Sequence, residues 1–317
     1  MSETSRRPVL PGGDIVAIGG GTGLPIVLRA VKHVASNVAA VVTMADDGGS
    51  SGRLRREFGV LPPGDVRNCL VALAPDSSLA AELFQYRFVD GEGLVGHSVG
   101  NIVITALAQM TGDFFRAIKQ AEKLVGAAGR VLPSTLESLT LHAEIVNGDE
   151  MSGQAKIART RGVKRVTIDP AGAPACAETV EAIAEADMVV VGPGSLFTSL
   201  MPNLLVGGIA DALAHTSARR VFIVNVANQR GETEGFTAAC YLYAVAEHLR
   251  GLPFDSVIVN DADATAARGG IDERCLVGVD RDEVAAFGVE AYVADVADEA
   301  NPLHHDPAKL AKVLGAI

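Results

Sequence analysis

The chain has 317 residues, 48% of them apolar and 34 of them glycine, with a formal net charge of −11. That length admits one large α/β domain or two modest ones, and an acidic balance without a basic face argues against a nucleic-acid partner. With no Trp and only 4% aromatics, the core must be built from Val, Leu, Ile and Ala.

Residues 1–13 read as a flexible N-terminal extension; MSETSRRPVLPGG has no apolar h-region, so no secretory leader is expected. No run of about 18 apolar residues is present to insert into a bilayer. Cys69, Cys176, Cys240 and Cys275 form no CxxC and suggest neither a zinc site nor a disulfide framework. Reduced, mostly buried thiols and a cytoplasmic location are expected.

Asp14–Ile18 is a short apolar strand that runs straight into GGGTG, and Leu24–Val34 then carries helical spacing. A second strand, Val38–Met44, ends at Asp46-Asp47, which makes a β-loop-α-β unit and argues for a parallel sheet. Helices are expected over Asp65–Ala74, Ser77–Phe88, Ser98–Met110 and Asp113–Val125. Leu139–Ala158 alternates around Asn147-Gly148, a hairpin signal, and reads as an antiparallel excursion. The alternation then resumes: strand Val163–Ile168, helix Ala177–Ala186, strand Met188–Val191, helix Leu196–Ala214, strand Arg220–Val226, helix Phe236–Arg250 and strand Ser256–Asn260. Cys275–Val279 and Glu290–Val296 read as late strands. Asp306 is placed to cap a last helix with Pro307 at its first position. These elements fit one Rossmann-like, three-layer α/β/α domain over residues 14–317, its sheet mostly parallel; a split near residue 130 is the alternative.

The chemistry-bearing segments fall at strand ends. In GGGTG (Gly19–Gly23), Gly20, Gly21, Thr22 and Gly23 form a strand-to-helix turn able to bring a phosphate to backbone N–H groups. It is neither a GxGxxG fingerprint, since Leu24 stands where the third glycine belongs, nor a P-loop, since the lysine is missing. After the second strand come Asp46, Asp47, Gly48, Gly49, Ser50, Ser51 and Arg53, a loop of N–H, hydroxyl and carboxylate groups suited to sugar hydroxyls or phosphates. Asp65, a natural N-cap, precedes Arg67 and Asn68; an arginine in a first helical turn opposes the helix dipole and points to an anionic or acidic partner. His97 and Asn101 start another apolar helix, His97 as a candidate acid or base. Gly192, Pro193, Gly194, Ser195 and Thr198 form a second glycine turn. Asn228, Gln229, Glu232 and Thr233 supply donors and acceptors at a third strand end. Two glycine turns on one sheet suggest a diphosphate lying across its carboxyl edge. No GxSxG, HExxH or spaced carboxylate pair marks a nucleophile or a metal site.

Taken in order, GGGTGL, ADDGGSSGRLR, PPGDVRNCLVALA, FQYRF, GHSVGN, RVLPST, LHAEI, GPGSLFTSLMPNLLV and NQRGETEGF resemble the YvcK-like family, the gluconeogenesis factors, from about Asp14 to the C-terminus. A more distant resemblance is to CofD, the 2-phospho-L-lactate transferase. The resemblance implies a Rossmann-like regulator without established catalytic activity that binds UDP-sugars, UDP-N-acetylglucosamine in particular. It would link gluconeogenic growth to cell-wall synthesis and cell shape. By analogy the glycine turns, the Asp46–Arg53 loop, Asn68, His97, Asn101 and the Asn228–Thr233 loop belong to the ligand site. No cofactor is required on this reading; NAD and a magnesium ion are alternative occupants. Regulatory proteins of wall synthesis and a second copy of the chain are the candidate macromolecular partners. The chain departs from the family at Arg230, where relatives carry QPGET, and at His304, where many carry Arg and where a neutral imidazole would hold a diphosphate weakly. Two other classes stand beside the regulator: a transferase using Asp46, Asp47 and His97 for a metal or proton, and an NAD-dependent enzyme.

Overall fold

The structure is a computed structural model describing residues 12–269 and 272–317; residues 1–11 of the expected extension lie outside the described residues. Strand β1 (Asp14–Gly19), helix α1 (Gly23–Val31) and strand β2 (Asn37–Val42) are followed by helices α2 (Gly49–Phe58), α3 (Gly64–Leu73), α4 (Leu79–Gln85), α5 (Val99–Thr111) and α6 (Phe114–Val125). Next come strands β3 (Arg130–Pro133), β4 (Thr140–Ile145) and β5 (Glu150–Ser152), helix α7 (Gln154–Ile157) and strand β6 (Val163–Asp169). Helix α8 (Ala177–Glu185) and strand β7 (Met188–Val191) lead into a π-helical turn (Leu196–Leu200) continued by α9 (Met201–Leu204) and α10 (Ile209–His215). The chain closes with β8 (Arg219–Ile223), α11 (Ala238–Leu249), β9 (Ser256–Asn260), α12 (Ala262–Ala266), α13 (Arg281–Ala285), β10 (Glu290–Ala294) and α14 (Pro307–Leu314).

Seven strands form one parallel sheet in the order β10-β9-β8-β7-β1-β2-β3. The central strands read as unbroken apolar runs because both faces are covered: β7 is MVVV and β9 is SVIVN, every residue buried. From β1 the chain steps outward to β2 and β3, then returns to the other side of β1 at β7 and steps outward again. Helices cover both faces of this sheet. Helix α1 packs on both α3 and α14, and α8 packs on α10. The boundary between β1 and β7 is the topological switch point.

The hairpin expected around Asn147-Gly148 is present, with Gly148 at φ +88°. It belongs to a separate sheet of order β5-β4-β6. This corrects the reading of Val163–Ile168 as a return to parallel alternation: β6 pairs antiparallel with β4. Its alternating burial is that of a sheet covered on one face, which an apolar count alone misses. Four further differences bear on the site. Gly49–Phe58 is a helix where a loop was expected, because its stabilising contacts are tertiary and its own sequence has no apolar stripe. Arg130–Pro133 is an edge strand, four residues long and closed by a proline, which its sequence does not announce. The helix expected over Leu196–Ala214 breaks at Leu205–Gly208, where Gly208 takes φ +96°. Cys275–Val279 is no strand; Leu276 makes only an isolated bridge to Ala227. Cys69 and Cys176 are buried but Cys240 and Cys275 are exposed, so the expectation of mostly buried thiols holds for half of them. Asp306 caps α14 through Lys309 N–H at 2.8 Å, with Pro307 in the first turn, as expected. No described helix is long and apolar enough to cross a membrane.

Candidate functional site

At the switch point the turns leaving β1 and β7 press against each other. A Cβ built on Gly23 would lie 2.1 Å from the carbonyl oxygen of Pro193, so only glycine allows this approach. Gly21 sits at φ +60° and Gly192 at φ +86°, with a cis peptide between Gly192 and Pro193. Asn225, at the end of β8, clamps the second turn: its Oδ1 accepts from Gly194 N–H and its Nδ2 donates to Gly194 O, both at 2.9 Å. Gly23→Ala is expected to cost about 2 kcal/mol by overpacking, measured by urea denaturation, and to push the two turns apart.

Between the turns opens a cleft of about 390 Å³. Gly20, Gly21, Thr22, Gly23, Pro193, Gly194 and Ser195 line it, with Asn228 and Gln229 beyond β8 and His304 at the mouth. Ser199, the end of the second glycine turn, also lines it, as do Ile26, Asn225, Val226, Ala227, Leu303 and His305, which were not singled out from sequence. For Asn225 the signal was available: a polar residue ending an apolar strand beside a glycine turn. Leu303 and His305 come from a loop about 280 residues beyond β1, which no local pattern connects to it.

Against the Gly20–Gly21 side of the cleft packs a polar cluster built from α2, α3 and the start of α5, whose side chains do not line the cleft itself. Asp65 is not the helix cap expected of it. Its Oδ2 accepts from Gly21 N–H at 2.8 Å and so fixes the first glycine turn. Burial, reinforced by the charge of Asp46, pushes the Asp65 carboxyl up to about 6. Asp46 Oδ1 accepts from Gly48 N–H at 3.0 Å. Asn68 reaches toward Gly21 O at 3.5 Å and accepts from Arg67 at 2.6 Å. Arg67 also donates to Ser98 Oγ at 2.5 Å; it is buried, and its Nε has no partner. Arg67 thus donates to a hydroxyl and an amide oxygen, with the Asp65 and Asp46 charges close enough to act on it. Ser50, in the first turn of α2, lies 2.8 Å from His97 Nδ1 and accepts from Asn101 Nδ2 at 3.1 Å. Burial, with Arg53 nearby, lowers the His97 pKa and so favours the neutral imidazole. Arg53 donates to Val95 O at 2.7 Å, tying α2 to the loop that carries His97. The buried Ser51 hydroxyl lies against Gly64, where a Cβ would sit 2.4 Å from it, and Gly49 opens α2 at φ +45°.

Five sequence candidates turn inward. Asp47 accepts from Gln154 N–H at 3.1 Å and Ala155 N–H at 2.8 Å, which anchors α7 to the main sheet. Gly192 is packed under Ile223 O. Glu232, buried, accepts from Phe197 N–H at 2.8 Å and Thr198 N–H at 3.2 Å and takes the Ser195 hydroxyl at 2.7 Å on the same oxygen. Ser195 thus does not cap its helix through its own side chain; the Glu232 carboxylate does. Thr198 is buried against Ser195. Thr233, fully buried, accepts from Gln229 N–H at 2.9 Å and lies 3.0 Å from the Tyr241 hydroxyl. These groups hold the turns rather than face the cleft. Among the described residues no group of three or more His, Cys, Asp or Glu side chains could hold a metal ion.

The comparisons with known proteins agree with this architecture. The model of the family described as 2-phospho-L-lactate transferase CofD matches residues 15–297. A gluconeogenesis factor from Halalkalibacterium halodurans is 41% identical over 307 residues, covering 95% of this chain and 95% of its own. The gluconeogenesis factor of Bacillus subtilis is 40% identical over 305 residues, covering 95% of this chain and 96% of its own. The crystal structure of a Bacillus halodurans protein superposes with a TM-score of 0.88 at 40% identity, over 96% of this chain and 99% of that one. With a parallel sheet reversing at β1/β7, two glycine turns in contact across that point, and full-length similarity of this degree, the chain belongs to the gluconeogenesis factor family, built on a CofD-like domain.

Proposed function

We propose that this protein binds a nucleotide sugar, UDP-N-acetylglucosamine in particular, in the switch-point cleft, and that it acts as a regulator linking gluconeogenic carbon flow to cell-wall synthesis. The observation that carries the reading is the contact of the two glycine turns at Gly23 and Pro193. It sets two phosphate-accepting backbones side by side, the arrangement a diphosphate spans. Asn228 and Gln229 supply amides for a base or ribose at one end. Asp46 and Asp65, beside the Gly21 turn, suit sugar hydroxyls. NAD fits less well, because Leu24, fully buried, occupies the place of the third fingerprint glycine.

Calorimetric titration tests this directly. Saturable binding of UDP-N-acetylglucosamine is expected, and Gln229→Ala, at an exposed cleft residue, is expected to weaken it about five- to ten-fold, the loss of one or two hydrogen bonds. Absence of heat with every nucleotide sugar tried rules the reading out. A second reading, phosphate-linked group transfer, is favoured by one feature: an Asp65 carboxyl raised to about 6 can exchange a proton near neutrality. Mass spectrometry of the protein with bound nucleotide and candidate acceptors distinguishes the two; a product supports transfer.

A further inference from the structure

Behind the Ser195–Thr198 turn lies a larger cavity, about 1060 Å³, which the nucleotide-sugar reading does not use. Helix α11 forms one wall, with Cys240, Tyr243, Ala244 and Glu247 spaced along its open face. Residues of β6 and α13 form the others. Four of the chain's ten Phe and four Tyr gather here: Phe197, Phe236, Tyr243 and Phe287. Phe197 belongs to the hydrophobic core and Phe236 and Phe287 pack against it, so Tyr243 is the ring that stands open to the cavity.

The charge of the walls selects the ligand class. Five glutamates line the cavity against only Lys164 and Arg165. Lys164 is engaged by Glu144 at 2.8 Å, and Glu234 lies 3.7 Å from Arg161. Glu247 and Glu283 are exposed and, among the described residues, have no side-chain hydrogen bond or ion pair. Ring faces with unpaired carboxylates nearby attract a cation that carries an apolar body, through the ring quadrupole and direct charge. With Arg165 the remaining cation of the lining against these two carboxylates, the balance is negative and disfavours a phosphate-bearing ligand.

The cavity and the cleft share a wall. Glu232 and Phe197 line the cavity, yet the Glu232 carboxylate holds Ser195 and the Phe197 and Thr198 amides. Whatever presses on the Phe197 ring bears on the turn that lines the cleft. We propose that this cavity is a second ligand site, for an amphipathic organic cation, and that Glu232 couples it to the glycine turn of the cleft. The binding half stands whatever the cleft holds; only the consequence for regulation rests on the nucleotide-sugar reading.

Rhodamine 6G, a planar lipophilic cation, is titrated into the protein and followed by fluorescence polarisation, with the anionic dye 8-anilinonaphthalene-1-sulfonate in parallel. Saturable one-to-one binding of the cation is expected, with the anion about ten-fold weaker or more. Tyr243→Ala weakens the cation about five-fold, and the double change Glu247→Gln with Glu283→Gln about ten-fold. Tyr243 is 59% exposed and both glutamates are exposed, so these variants keep the fold. Saturation with rhodamine 6G slows amide hydrogen exchange in residues 194–201. No saturable cation binding, equal binding of the anion, or affinity unmoved by both variants overturns the cation site. Unchanged exchange in 194–201 at saturation overturns the coupling. Neither result depends on whether a UDP-sugar binds the cleft.

Discussion

Glu232→Ala is expected to destabilise the protein by about 4 kcal/mol. The carboxylate accepts from two backbone amides and a hydroxyl in a buried setting. Charge-assisted bonds of this kind are worth about 1.5–3 kcal/mol each, and an N–H left buried without a partner costs about 1–3 kcal/mol. Burial raises the Glu232 pKa against the pull of those bonds. Removing the side chain therefore recovers some desolvation cost, which keeps the net below the sum of the three bonds. At about 2.1 cal/mol/K per residue, 4 kcal/mol in a chain of this length lowers the melting temperature by about 6 °C. Glu232→Gln keeps one acceptor oxygen and is expected to cost less than half as much. Thermal unfolding reads the stability, and amide exchange at Phe197 and Thr198 shows whether the turn itself has loosened. A Glu232→Ala melt within 1 °C of the parent, itself well inside the roughly 6 °C expected, is incompatible with this role.

The second large effect is a pair of opposed pH dependences. His305 is buried, and burial, with the charge of His304, takes its pKa from 6.5 down to about 4, although its Nε2–H donates to Val224 O at 3.1 Å. A depressed folded pKa contributes stability that is present above 6.5 and lost as pH falls through about 4. Asp65 runs the other way. Its pKa rises from 3.8 to about 6, so its contribution is complete below 3.8 and lost as pH climbs through 6. At 1.36 kcal/mol per pH unit each span corresponds to roughly 3 kcal/mol. In the parent protein the two offset one another between pH 4 and 6.5. Asp65→Asn keeps an oxygen to accept from Gly21 N–H while removing the charge beside Asp46. It is expected to stabilise the protein by about 2–3 kcal/mol at pH 7.5. That advantage shrinks toward zero near pH 4 and leaves the His305 loss exposed. Urea midpoints of parent and variant at pH 7.5, 6 and 4.5 measure the difference; a difference constant with pH contradicts the assignment to Asp65. The same variant in a nucleotide-sugar titration shows whether the ionised carboxylate also serves the ligand.

The ionised Asp65 thus carries a stability penalty at neutral pH, as does the unpartnered Nε of buried Arg67 and the unpartnered Oδ1 of Asn101 beside it. Such costs gather where a chain is shaped for a ligand rather than for its own folding. These three meet in the α2–α3–α5 cluster behind Gly21, which favours that cluster as a support of the site.

Much of the fold was legible because its determinants are local. GGGTG and GPGS each follow an apolar run that only a two-sided sheet can bury, and each precedes helical spacing. From those facts the parallel sheet, both glycine turns and their place at strand ends follow. Asn147-Gly148 likewise announced its hairpin, and Asp306-Pro307 its helix. What local pattern left undecided depends on partners distant in sequence. GSSGRLRREF becomes a helix because Gly52 lets the chain pass the Asp47 carbonyl, where a Cβ would sit 1.8 Å away, and because Arg55 reaches Ser138 and Leu139. Strand β6 leaves the main sheet because β4 offers it an antiparallel edge.

The candidate site divides along the same line. The sequence by itself determined which residues carry polar chemistry and that they stand at the carboxyl ends of strands, because strand ends and glycine turns are written in short-range pattern. Only the tertiary structure decided which way each side chain points. Asp65 serves Gly21 rather than its own helix, Asp47 serves α7, and Glu232 serves the Ser195 turn. The reason is physical: a carboxylate goes to whichever unsatisfied N–H groups the packing brings within hydrogen-bond reach, and those lie 44, 108 and 35 residues away along the chain.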